Sequence, residues 1–381
     1  MKVLYITHCT DMSGANKSMF QMIKELQDNH GVQPFVIYPK IYDKSVANIS
    51  EALEKRSIKG LSHRMICFER KRTNIFHKFY FVLFQFVYIL HILFLIRNYK
   101  FDLVHSNSSV LDIGLFISKA LRIPHVWHFR EVASKSFGYK SIFGYKYQKW
   151  AYSQATKIIA ISKNVKEEFA NYDVEDKTEV IYNGILPPAV DHTPNHNQKP
   201  IRICIVGRIE PNKNQLEAIK AIKILRDRGV KDFKLFIIGN GSGPYFKEVH
   251  KYVEDNGLQS FVDFLGRRND VNELLQDMNI GLMLSRHEAF GRVTVEYMMH
   301  KMCVVASNTS ANIEIVRDGI NGRLYEFGDP NSLATILIEL LNSTYEIKIM
   351  SANAEADALK NYKSVTNSDK VFDLYNRIIP N

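Results

Sequence analysis

The 381-residue chain is 46% hydrophobic and 24% charged, with a formal net charge of +10. This length predicts two or three domains rather than one, and the composition fits a soluble globular protein. The basic balance points to an anionic partner, phosphate or a membrane surface, and nucleic acid is set aside because no CxxC, RNP-like aromatic motif or helix-turn-helix pattern occurs. Four cysteines, Cys9, Cys67, Cys204 and Cys303, lie far apart with no zinc spacing or disulfide framework, and three of them fall in apolar strand-like runs, which suits buried free thiols in a reducing compartment.

The N-terminus turns polar after one short apolar run, too short for a secretory signal, so a cytoplasmic location is expected. That run, residues 3–7, reads as a strand. Ser13, Gly14, Ala15 and Asn16 follow it, then a helix-like stretch over 17–26. Gly14 lets a backbone approach a ligand closely at a helix start. The segment is not a GxGxxG, and the next strand, 34–38, runs into Pro39 and Lys40 instead of an acidic residue, which argues against a nicotinamide enzyme.

Residues 79–96 carry no charge and are flanked by Arg70, Lys71, Arg72 and Lys78 before and by Arg97 and Lys100 after. Their length touches the transmembrane threshold. Gln85, Tyr88 and His91 nevertheless recur at helical spacing, and a span would separate 3–7 from 101–105, which read as strands of one sheet. Two readings stay open: a buried helix of the first domain, or an interfacial helix whose basic flanks grip anionic lipid.

Strands follow at 101–105, 125–129, 158–161 and 179–182. Trp127, His128, Phe129, Arg130 and Glu131 close the second of these, which puts His128 near a strand end as a hydrogen-bonding or general-base group. The plainer alternative is a structural histidine. Residues 186–200 hold four prolines and little apolar periodicity and read as a linker.

The second half repeats the alternation, with strands at 201–206, 234–238, 261–265, 280–284 and 303–306. Such short apolar strands between helices predict parallel sheets covered on both faces. The expected class is α/β: two Rossmann-like doubly wound domains facing a central cleft, with ligands at the carboxyl ends of the strands. Domain limits are placed at 1–186 for the first domain, 187–199 for a linker, 200–366 for the second domain and 367–381 for a helix returning to the first.

After strand 201–206 come Gly207, Arg208, Ile209, Glu210, Pro211, Asn212 and Lys213. Arg208 offers a planar fork and Lys213 a compact charge, so together they can meet one diphosphate. The run from Gly239 to Gly243 is a GxGxG at a strand end, readable also as a flexible turn. The most informative segment runs from Ser285 to Glu296. Seven residues separate Glu288 from Glu296, Phe290 and Gly291 among them, after a strand and into a helix. The helix start presents N–H groups to an anion and the carboxylates accept from hydroxyls, so a sugar joined to a phosphate suits both. No Asp-x-Asp occurs, so a carboxylate-held metal bridging a diphosphate has no evident site.

With these residues assembled, the chain resembles a GT-B glycosyltransferase of the retaining family 4, also called group 1. The likeness spans nearly the whole length and is strongest over 201–330, including the stretch from Glu314 to Gly322. The resemblance implies that Arg208 and Lys213 hold and neutralise the donor diphosphate, and that Glu288 contacts the donor sugar. It also implies that amides around Phe290 and Gly291 touch sugar and phosphate, and that Glu296 accepts from the ribose. Gly14 would sit over the diphosphate, His128 near the reacting sugar and Arg267 beside the nucleobase, with Gly239 and Arg292 completing the donor set. No cofactor or metal is expected.

The implied partners are a nucleotide-sugar donor, UDP-linked by family frequency, and a saccharide or lipid-linked acceptor in cell-surface polysaccharide assembly. An anionic membrane surface is a further expected partner, with the protein peripheral at its inner face. A sugar-nucleotide epimerase of the same fold and a non-catalytic GT-B partner protein are the alternatives. The chain departs from the family pattern at Ser310, Ala311, Asn312 and Ile313, at Met299, His300 and Lys301, and in the single glycine of its first loop.

Overall fold

The computed structural model describes residues 1–12, 14–40, 49–70, 75–132, 134 and 138–379. Ser13, Lys71, Arg72 and part of the stretch after Ser134 therefore lie outside the described residues. The chain divides into two compact units, one formed by Met1–Gly184 with Ser364–Asn381 and the other by Ile185–Lys363. The breaks thus fall two or three positions before the expected limits at 186 and 366. The proline-bearing segment expected as a linker belongs to the second unit. It is tied there by the Asn279 amide to Asn195 and His196 and by Lys301 to Asp191.

The first unit contains β1 (Lys2–Ile6), β2 (Gln33–Pro39), β3 (Lys59–His63), β4 (Glu69–Arg70), β5 (Leu103–Ser106), β6 (His125–Phe129), β7 (Lys140–Ser141), β8 (Lys157–Ala160) and β9 (Thr178–Val180). Seven of these make one parallel sheet in the order β3-β2-β1-β5-β6-β8-β9, while β4 and β7 pair separately as an antiparallel ribbon. Strand alternation sorts β1 between two cores. Val3 and Tyr5 pack with Met19, Ile23, Val371 and Leu374 from the helices Gly14–His30 and Ser364–Ile378. Leu4 and Ile6 pack with Ile89, Ile92, Ile113 and Ile117 from the helices Ile75–Ile96 and Ile113–Leu121 on the other face.

The helix Ile75–Ile96 is long and apolar enough to cross a membrane, with 28% of its most apolar window buried. It does not separate its flanking strands, because β1 and β5 are hydrogen-bonded neighbours with Val3 opposite Leu103. Part of its polar stripe faces inward: Gln85 is buried and donates to Asp112 at 2.8 Å and Tyr88 is buried, whereas His91 is exposed and pairs with the buried His63 at 2.9 Å. The outward face is apolar, with Phe76 80%, Phe79 71% and Phe86 63% exposed and Val82, Leu90 and Phe94 beside them. The helix is therefore buried along one side only and is apolar on both, with Phe81, Ile89, Ile92 and Ile96 inward, unlike an ordinary surface helix whose outer face is polar.

The second unit contains β10 (Ile201–Val206), β11 (Phe233–Ile238), β12 (Val262–Gly266), β13 (Ile280–Met283), β14 (Cys303–Ser307) and β15 (Arg323–Tyr325). They form a parallel sheet in the order β12-β11-β10-β13-β14-β15. Ile201, Ile203, Leu235, Ile237, Ile280 and Leu282 fill its core against the helices Gln215–Asp227 and Pro330–Asn342. In both units the chain winds outward from a central strand and then in the opposite direction, so the α/β class and the two Rossmann-like units are those expected. All four cysteines are free thiols.

Candidate active site

In the second unit β10 lies between β11 and β13, and the connections leave it toward opposite sides of the sheet. Such a switch point opens a crevice at the carboxyl ends of the strands. Glycines line it. The Gly207 N–H donates to Ile238 at 2.9 Å and the Gly239 N–H to Gly266 at 2.8 Å, which carries the sheet one step beyond the strands. Gly239 has φ +152°, and a Cβ there would lie 1.9 Å from the Gly207 carbonyl oxygen. Only glycine fits, and the backbone is left bare for a ligand.

The loop after β10 carries both cations. Arg208 is exposed; its carbonyl accepts from the Gln215 amide at 2.9 Å, and its guanidinium makes no ion pair with the described residues. The short turn Pro211–Lys213 then directs Lys213 toward the adjacent β13 loop, where its Nζ lies 2.8 Å from Glu288 Oε2. Burial works against the ammonium, but the charge and hydrogen bond of Glu288 and the charge of Glu210 outweigh it, so the Lys213 pKa is raised and the group stays cationic. Sequence separation of 75 positions is closed by the neighbouring strands.

Glu288 is held from two sides. Asn212 donates through its amide to the His287 carbonyl at 3.1 Å, accepts from the His287 N–H at 3.1 Å, and through its own carbonyl accepts from Arg286 at 3.0 Å. From β14, the Ser307 and Thr309 hydroxyls donate to Ser285, the Ser310 hydroxyl donates to Arg286 and the Ala311 N–H donates to Glu288. The departure noted at Ser310 and Ala311 is thus a brace for the glutamate loop. Gly291, at φ +93°, then opens the helix Arg292–Met299 without a side-chain cap. Phe290 is buried, Arg292 pairs with Glu296 at 2.9 Å, and the buried Thr294 hydroxyl has no partner among the described residues. Another departure, His300, closes this helix by its ring Nδ1 on the Glu296 carbonyl at 2.7 Å.

Arg208, Lys213, Gly239, Arg267, Glu288, Phe290, Gly291, Arg292 and Glu296 therefore all follow strands of one sheet at its carboxyl edge, with Arg267 exposed just beyond β12. Direct contact joins Lys213 to Glu288 and Arg292 to Glu296. Among the described residues no group of His, Cys, Asp and Glu is placed to hold a metal ion.

Gly14 is the exposed first residue of its helix in the first unit. Asn16 organises the loop before it, accepting from Thr7 at 2.7 Å and donating to the carbonyls of Cys9 and Asp11. His128 differs from expectation. It is 2% exposed within β6, and its Nδ1 lies 3.1 Å from His105 Nε2, whose other nitrogen meets the Tyr375 hydroxyl at 2.7 Å. Burial, then the Arg130 charge and His105, hold its pKa well below the imidazole range. The ring is neutral and buried, and it lines a small cavity with Arg130 and Asn183, its Nε2 without a hydrogen-bond partner among the described residues.

A family model for glycosyl transferases group 1 matches residues 190–357, and one for glycosyltransferase family 4 matches residues 12–187. An uncharacterized glycosyltransferase of Methanocaldococcus jannaschii is 30% identical over 266 residues, 68% of this chain and 71% of that protein. The chain belongs to glycosyltransferase family 4, group 1. Among other relatives of this glycosyltransferase, the Escherichia coli UDP-Gal:alpha-D-GlcNAc-diphosphoundecaprenol alpha-1,3-galactosyltransferase is 25% identical over 75% of this chain and 78% of its own. The crystal structure of Anabaena HepE in complex with UDP superposes with a TM-score of 0.81, at 22% identity over 99% of this chain and 100% of its own, and shows the same GT-B fold. Asn212 and the β14 brace of this family 4 member escaped the sequence reading. Asn212 had one local signal, an Asn directly after a proline in a turn.

Proposed function

We propose that this glycosyltransferase moves a hexose, with retention and without a metal ion, from a nucleotide-sugar, foremost a UDP-sugar, to a saccharide or lipid-linked acceptor in cell-surface polysaccharide assembly. The observation that carries this reading is the Lys213–Glu288 pair at the switch point, a cation suited to phosphate 2.8 Å from a carboxylate suited to sugar hydroxyls. The name of the Escherichia coli relative supports a UDP-sugar donor and a lipid-linked acceptor, and the UDP held by the Anabaena structure supports the same base.

In this reading Arg208 and Lys213 hold the diphosphate and meet its growing charge, aided by amides at Gly291 and the helix start. Glu288 accepts from the sugar hydroxyls and Glu296 from the ribose. Gly239, Phe290 and Arg292 line the donor, Arg267 lies beside the base, and Gly14 is a close-approach position. His128, neutral and with its Nε2 unpartnered among the described residues, is the candidate hydrogen-bonding group near the reacting sugar. The bond from the anomeric carbon to the diphosphate oxygen breaks, the acceptor oxygen bonds to the same face, and its proton passes to the departing phosphate. Glu288→Ala and Lys213→Ala are expected to lower transfer at least about 100-fold. Unchanged turnover in both folded variants would overturn the assignment, and an inverted linkage by NMR would overturn retention.

A peripheral place at the inner face of the membrane completes the proposal. The helix Ile75–Ile96 turns its apolar side outward, and exposed Lys78, Arg97 and Lys100 stand along it and at its end. Apolar side chains between cations suit the boundary of an anionic bilayer.

A further inference from the structure

The first unit contains a cavity of about 400 Å³ beside the β4–β7 ribbon, within the size range of small-ligand sites. Its apolar walls are aromatic: Phe169, Tyr145 and Tyr172 line it, with the two tyrosine rings 5.2 Å apart. Its polar groups form one network. The Tyr172 hydroxyl donates to Gln148 Oε1 at 3.2 Å, and Gln148 Nε2 donates to Glu69 Oε1 at 2.7 Å. The Tyr152 hydroxyl donates to that same oxygen at 2.8 Å. Glu69 Oε2 receives no hydrogen bond from a described residue, and the buried Ser141 hydroxyl has no partner.

We propose that this cavity is a saccharide subsite, the place where the acceptor's sugar is held. A pyranose offers an apolar C–H face to the rings and hydroxyl edges to Glu69, Gln148 and Ser141. A purely apolar ligand would leave Glu69 Oε2 and the Ser141 hydroxyl unpaired. An anion would face Glu69 and Glu168, and a cation would face Lys140 at the wall. A neutral polyhydroxylated ring satisfies all of them. The lip of the cavity also adjoins the apolar helix: Gly144 follows Phe143, whose ring packs edge-on against Phe81 at 5.4 Å.

The acceptor role rests on the glycosyltransferase reading; saccharide binding does not. Saturation-transfer NMR with methyl glycosides of hexoses, N-acetylhexosamines and their disaccharides tests it on the full chain. The wild type is expected to bind at least one glycoside, and Gln148→Ala and Ser141→Ala to weaken it about tenfold, with the UDP-induced rise in melting temperature unchanged. No binding by any glycoside, or binding indifferent to both substitutions, overturns the subsite. In transfer assays the acceptor KM of both variants is expected to rise with the donor KM unchanged. A donor KM that moves with it overturns the acceptor role, whereas glycoside binding without any transfer overturns the enzyme reading and leaves the subsite standing.

Discussion

Asn212 shows how one amide can organise a site: it joins the turn Pro211–Lys213 to the loop bearing Glu288 through three hydrogen bonds. Asn212→Ala leaves the His287 N–H and carbonyl without that partner, a loss of about 1–3 kcal/mol. The expected outcome is a lower unfolding midpoint and a donor kcat/KM reduced by about tenfold or more, measured beside Asn212→Asp, which keeps the acceptor oxygen and restores part of the midpoint. Lys213 and Glu288 were legible because their residue types stand at strand ends. Asn212 was not, since its partners lie 75 positions away. The burial of His128 was illegible for a different reason. Strand alternation turns it to the face opposite Trp127 and Phe129, and that face is roofed by the helix Ser364–Ile378 from the far end of the chain.

At the level of elements, apolar runs located the central strands to within two residues at each end, because parallel strands buried on both faces must be apolar throughout. The edge strands β3 and β15 and the ribbon β4–β7 went unread. β3 reads Lys-Gly-Leu-Ser-His and is mostly exposed, so no burial requirement shapes its sequence. The helix Ile75–Ile96 was visible, but which face it turns inward depends on Asp112 and His63, which receive its polar groups. Phe79→Glu combined with Phe86→Glu places charge on positions 71% and 63% exposed. The expected outcome is an unchanged melting temperature with loss of co-sedimentation on anionic vesicles at low salt. Equal sedimentation of variant and wild type, or none by the wild type, would remove the membrane assignment.

For the whole first unit, two buried carboxyls set a pH dependence. Burial pushes Glu69 up to about 7, against the hydrogen bonds of Tyr152 and Gln148, and pushes Asp112 up to about 7, against those of Tyr147 and Gln85. A raised carboxyl pKa means that the folded state holds its proton more tightly than the unfolded one. The associated stability is complete below about pH 4 and is lost as pH rises through about 7. The melting temperature of the first unit should therefore fall across that window, and Glu69→Gln or Asp112→Asn should flatten the fall in calorimetric scans at pH 4.5, 6 and 7.5. A wild-type profile already flat would contradict the buried placement of both groups.

Because the first unit takes its last helix from Ser364–Asn381, the order of synthesis does not match the order of assembly. Residues 185–363 are contiguous and can close their sheet as soon as they leave the ribosome. The earlier-made strands β1 to β9 must wait, with Met19, Ile23 and Leu26 uncovered, until translation delivers Val371 and Leu374. Truncation before Ser364 would spare the sheet of the second unit and leave the first without the helix that covers one of its faces.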